Sequence, residues 1–192
     1  AKATSTNPDI LQTAKIIGRS ANSVKMKIGN FGSFDPELKK RGIVGLANAS
    51  KLDEEIWNEF NKNWEQLAYE SEVLIAKFQG KEIEDIIPKI DIENLPIGKD
   101  KIANVKIRVN QNFFRQTILS TYYNTCCITG IKLPQLLVAS HIIPWSVDEK
   151  NRLNPHNGLC LNALHDKAFD NKLISITPDF VIKVSEKIRE HE

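Results

Sequence analysis

Ala139-Ser140-His141-Ile142-Ile143-Pro144-Trp145, Asn154-Pro155-His156-Asn157-Gly158-Leu159-Cys160-Leu161 and His165-Asp166-Lys167-Ala168-Phe169-Asp170 follow one another closely in the last third of the chain. Residues 136–142 read as a strand, 144–157 as a loop, 158–161 as a second short strand and 162–169 as a helix. Elements in that order can fold a two-stranded ribbon onto a helix, which would bring His141 and His165 to one side of a small cleft. With an unperturbed pKa of about 6.5, one imidazole can accept a proton from water near neutral pH, and a second can hold a metal ion beside a phosphate. The arrangement permits metal-assisted hydrolysis.

Outward from this core, residues 108–123 fit a helix with Val109, Phe113, Ile118, Leu119 and Tyr122 inward and Arg115 outward, and 126–129 look like a further short strand. On the other side, 173–176 and 181–184 flank Thr177-Pro178-Asp179 as a hairpin, and a charged helix closes the chain. Gly80, Pro88, Pro96, Gly98 and several acids mark a linker. The expected organisation is α+β, with a helical module over 1–80, a linker over 81–105 and a second domain over 106–192.

The amino-terminal module opens with Asn7 as N-cap, Pro8 at the first helical position and Asp9 in the first turn, followed by Ile10, Leu11, Ala14 and Ile17 at helical spacing. Gly18 stops that helix, and Ser20 can cap a second one that runs up to Gly29 and Gly32. Ala14, Gly18 and Val24 have the spacing of a helix-turn-helix, although any two packed helices could show the same three residues. The polar face that follows carries Arg19, Ser20, Asn22, Lys25 and Lys27, residue types that contact phosphates and base edges. Residues 30–50 read as an ordered loop. Asp53 then caps a long helix whose Ile56, Trp57, Phe60, Trp64 and Leu67 form a buried stripe, read as core and not as a cofactor box.

With 192 residues, 41% apolar and 26% charged, the composition is that of a soluble globular protein, and no apolar run approaches the roughly 20 residues that cross a bilayer. Cytoplasmic location is expected. Cys126, Cys127 and Cys160 are too few for an all-cysteine zinc ribbon and unsuited to a disulfide framework. The net charge of +2 hides an uneven distribution: 1–41 hold eight Lys/Arg against three Asp/Glu, 42–100 six against thirteen, and 101–192 twelve against eight. Between Lys101 and Val147 there is no acid, while Lys101, Lys106, Arg108, Arg115 and Lys132 supply positive charge, a field suited to a polyanion. Arg108 and Arg115 join the DNA-contact set on that ground.

The quoted stretches, together with Cys127-Ile128-Thr129-Gly130 and Gln111-Asn112-Phe113-Phe114-Arg115, resemble the HNH nucleases, also called the ββα-metal fold. Within that family the similarity is to the bacterial restriction-type branch without zinc-binding cysteines, and it spans about 108–184. The resemblance implies that His141 is the general base that activates water for attack on a phosphodiester. His165 would bind the metal, Mg²⁺ or Mn²⁺, and Asn157 would hydrogen-bond across the loop to hold the strand of the base. Many members place an Asp, His or Glu immediately before the base, and here that position is Ser140. The expected protein is a restriction endonuclease acting on double-stranded DNA, with a homodimer as one way to supply two active sites and no part for a membrane. The alternative is a DNA-binding protein whose HNH-like module is inactive.

Overall fold

The computed structural model describes residues 4–87 and 101–190. The chain forms two compact units, Ala1–Asn112 and Phe113–Glu192, and the fold is α+β, with helices in the first and two small antiparallel sheets in the second. Among the described residues no helix is long and apolar enough to cross a membrane.

In the first unit α1 (Pro8–Ile16) starts where the Asn7 side chain accepts the Asp9 N–H at 2.8 Å and Pro8 occupies the first turn. Gly18 takes a positive φ of 64°, and the Ser20 hydroxyl accepts the Ser23 N–H to open α2 (Ala21–Gly32). Of the two expected stops, α2 runs through Gly29 and ends at Gly32. Leu46 lies over the space that a Gly29 side chain would take, and its N–H donates to Gly29 O at 3.0 Å. The 30–50 segment contains a short helix, α3 (Pro36–Lys40), capped by Asp35.

Asp53 is not the N-cap of the next helix. Ser50 is, and Asp53 stands three residues on, where the two form a capping box that opens α4 (Lys51–Phe60). The expected long helix is interrupted at 61–63, with Lys62 at φ 74°, and resumes as α5 (Trp64–Gln79), which Gly80 ends in the left-handed region. That break leaves the aromatic stripe half-buried: Ile56, Trp57, Phe60, Trp64 and Leu67, with Phe31, line a cavity of about 230 Å³. The packed interior of this unit includes Ile10, Ala14, Ala68 and Ala76.

Of the stretch read as linker, 88–100 lie outside the described residues, while α6 (Ile83–Ile86) and the start of α7 (Lys101–Thr121) fall within it. α7 begins ahead of the expected 108 because no Gly or Pro separates Lys101 from Arg108. The division between the two units falls inside α7.

In the second unit, 126–129 form a turn and not a strand: Gly130, at φ 74°, donates to Cys126 O, and Cys126 donates to Ile131 O. β1 (Leu137–His141) and β2 (Gly158–Asn162) pair antiparallel, with His141 opposite Gly158 and Ser140 opposite Leu159. Residues directly opposite share a face. His141, Ala139, Gly158 and Cys160 therefore line one side of the ribbon, and Ser140, Val138, Leu159 and Leu161 the other. α8 (Ala163–Asp170) packs against both strands, and β3 (Ile174–Ile176) pairs with β4 (Ile182–Val184) before α9 (Glu186–Arg189). Phe114, Ile118, Leu119, Leu137, Leu153, Cys160 and Leu161 are buried.

Candidate active site

His141 ends β1, and its ring is held from three directions. Nε2 lies 2.8 Å from the Arg152 carbonyl oxygen. A carbonyl only accepts, so in the neutral ring Nε2 carries the proton and Nδ1 is the basic nitrogen. The Phe114 ring stacks on the imidazole at 3.8 Å between centroids and 9° between planes, and Trp145 meets it edge-on at 5.5 Å. Burial lowers the His141 pKa below its ordinary value, against the opposing pull of the Arg152 carbonyl and the charge of Asp170. An imidazole kept neutral, with one nitrogen committed and the other free of its proton, is equipped to take a proton from water.

Asn157, 6% exposed, organises the loop between the two strands. Its Oδ1 accepts the Ile143 N–H at 2.8 Å, while Nδ2 donates to Ile143 O at 3.1 Å and to Asn151 O at 3.3 Å. The Asn157 carbonyl also accepts the Ile142 N–H at 3.0 Å. The loop that Asn157 ties down includes Arg152, whose carbonyl orients His141. His156 is exposed.

His165 sits in different company from His141, and its expected role as metal ligand does not fit its contacts. Asn162 caps α8 by accepting the His165 N–H through Oδ1 at 2.9 Å, which turns its Nδ2 toward His165 Nδ1 at 3.2 Å and toward Thr129 Oγ1 at 3.2 Å. Nδ1 is thus an acceptor, and Nε2 of the neutral ring carries the proton instead of a lone pair for a cation. Cys126, 1% exposed, completes the cluster and accepts the Asn162 N–H at 3.3 Å. Burial pushes the Cys126 thiol up, but hydrogen bonds from Thr129, Ile128 and His165 outweigh it and bring it down to about 6. These four residues stitch the 126–129 turn to the start of α8.

The next residue, Asp166, is turned about 100° along the helix, toward Ser140. Burial raises its carboxyl pKa, the Ser140 hydroxyl lowers it, and Asp170 one turn along the helix raises it again. Ser140 is 3% exposed; its Oγ lies near enough to the Asp166 carboxyl to lower that pKa but meets no partner at full hydrogen-bond geometry. A buried hydroxyl with spare lone pairs beside a half-buried carboxyl offers oxygen donors that suit a hard divalent cation. Among the described residues no three His, Cys, Asp or Glu side chains converge. A cation there would complete its coordination with water and phosphate oxygens.

The proposed DNA contacts divide. Arg19, Asn22 and Lys25 are exposed at and just after the turn between α1 and α2. Ser20 spends its hydroxyl on the cap. Lys27 is an ion-pair partner and not a free cation: its Nζ lies 2.7 Å from Asp53 Oδ1, a carboxylate 2% exposed that Asn30 also contacts at 3.1 Å. Arg115 does not point outward, since it donates to Leu137 O at 2.7 Å and Pro134 O at 3.3 Å. Arg108 has its Nε buried with no hydrogen-bond partner.

Phe114 and the Arg152 carbonyl escaped the sequence reading. A backbone acceptor leaves no signal in residue type. Gly158, immediately after Asn157, was the available clue that something packs onto the ribbon there. Residues 126–177 match the family model described as HNH endonuclease. No curated protein matches the chain.

Proposed function

We propose that this chain, which carries an HNH endonuclease domain at residues 126–177, hydrolyses phosphodiester bonds in double-stranded DNA and serves in restriction of foreign DNA. The observation that carries the reading is the His141 ring: Nε2 committed to the Arg152 carbonyl, the plane stacked on Phe114, and Nδ1 left as the base. Nδ1 takes a proton from water as the water oxygen attacks phosphorus and the bond to the 3′ oxygen breaks; that oxygen takes up a proton from solvent, leaving a 5′-phosphate and a 3′-hydroxyl. Asn157 keeps the loop that carries the Arg152 carbonyl in register. Asp166 and Ser140 would hold the divalent cation, Mg²⁺ or Mn²⁺, in place of His165. Such a cation supplies positive charge to the scissile phosphate and the departing oxygen. Arg19, Asn22 and Lys25 are the DNA contacts that the exposed start of α2 supports.

Ser140, standing where an acid is common, favours one second reading: a DNA-binding protein with a silent nuclease module. Incubation of supercoiled plasmid with the protein and Mg²⁺ or Mn²⁺ separates the two. Nicked or linear product that His141→Ala abolishes, with DNA affinity held within a few-fold, supports the nuclease. Tight binding without cleavage by the parent protein supports the silent module.

A further inference from the structure

The stacking of Phe114 on His141 depends on an absence at the opposite ladder position. Gly158 is the β2 partner of His141, and a Cβ built there would lie 2.8 Å from Phe114 Cζ and collide with Ile118 Cδ1. Only a residue without a side chain lets α7 come this close to the ribbon. Phe114 and Ile118, four residues apart along α7, and Tyr122, just past its end, all meet this glycine, the last through its hydroxyl donating to Gly158 O at 3.4 Å. Arg115, next to Phe114, holds the same turn of α7 to the start of the first strand through Leu137 O and to the segment before it through Pro134 O.

The hydrogen bond to Arg152 O fixes where Nε2 lies but leaves the imidazole free to pivot about that contact. A parallel aromatic face at 3.8 Å removes the pivot, and the Trp145 edge bounds the ring on another side. The direction of the Nδ1 lone pair is then set, which matters because proton transfer needs the donor and acceptor aligned. Phe114 lies ahead of the matched segment 126–177, so the base is oriented by a helix outside it.

We propose that Phe114 is a positioning residue for His141, and that Gly158 is required at its ladder position to admit the Phe114 ring. The inference rests on His141 being the base. Phe114→Met fills comparable space without an aromatic face, Phe114→Leu is a second non-aromatic replacement, and Gly158→Ala pushes the aromatic face away. Two readouts are taken on each folded variant: the proton NMR shifts of the His141 ring and the separate values of kcat and KM for plasmid cleavage. In the parent, the carbon-bound imidazole protons are expected upfield, because the ring stacks on the Phe114 face. Phe114→Met, Phe114→Leu and Gly158→Ala are expected to lose that upfield shift and to lower kcat roughly 10- to 100-fold with KM unchanged, the cost of a misaligned catalytic group. Loss of the upfield shift with kcat intact would overturn the positioning role, and so would a loss of activity that resides in KM. If His141→Ala cleaves as well as the parent while the parent's upfield shift is present, the reading of His141 as base fails, and the stacking is then purely structural.

Discussion

The Asn157 side chain holds both backbone groups of Ile143, accepting its N–H at 2.8 Å and donating to its carbonyl at 3.1 Å. One amide thereby does for the loop what a neighbouring strand would do, and it fixes the segment that carries the Arg152 carbonyl to His141. Asn157→Ala removes these bonds and the one to Asn151 O, and should destabilise the protein by about 1 to 3 kcal/mol in urea unfolding. Asn157→Asp keeps an acceptor for Ile143 N–H but loses the donor, so it should retain only part of the stability. Cleavage should fall in both, more steeply in Asn157→Ala. An Asn157→Ala variant as stable and active as the parent would show that the loop holds without this amide.

Lys25 and Lys27 stand two residues apart on α2 and should behave differently. Lys27 pairs with Asp53, whose carboxyl is held below its ordinary value of 3.8 first by the Lys27 hydrogen bond and then by the Ser50 backbone N–H. A carboxyl with a lowered folded-state pKa contributes stability that is present above its unfolded pKa and lost as pH falls through the lower folded value. Lys27→Ala should therefore reduce thermal stability at neutral pH and weaken the fold's resistance to acid, with Asp53→Asn showing the same neutral-pH loss and a flatter acid dependence. Lys25→Ala should leave unfolding unchanged and reduce the slope of log affinity against log salt by up to about 0.9 on duplex DNA. If Lys27→Ala leaves thermal and acid unfolding unchanged, the Asp53 ion pair does not support the fold.

His165 and Asp166 are adjacent in sequence and serve different sides of α8. With non-cleaving His141→Ala as the background and DNA bound, Asp166→Asn should weaken Mn²⁺ binding by at least about tenfold, the loss known even for partners one layer removed from a metal. His165→Ala should leave Mn²⁺ affinity in place, lower stability, and move the Cys126 titration upward from about 6, followed by thiolate ultraviolet absorbance. The reverse pattern, metal lost with His165 and kept with Asp166, would return the ligand role to the imidazole.

The residue pattern alone determined that a ribbon and a helix would carry His141 and Asn157, because alternation in β1 and β2, the Asn162 cap and the apolar spacing of α8 are local properties of short segments. It likewise placed α1, its Pro8 start and the Gly18 turn, since caps and glycine conformations act within a few residues. Which side of α8 each residue serves was not legible: His165 and Asp166 differ by about 100° of helical rotation, and only the packing of α8 on the ribbon sends one to Cys126 and the other to Ser140. The same holds for charge. Lys27, Arg115 and Lys25 are equivalent cations in a sequence, and the tertiary fold alone decides that the first meets buried Asp53, the second meets backbone carbonyls and the third stays in solvent. Phe114 on His141 belongs to this second class as well, for a contact across 27 residues of chain depends on Gly158 leaving room for it, and no periodicity records an empty space.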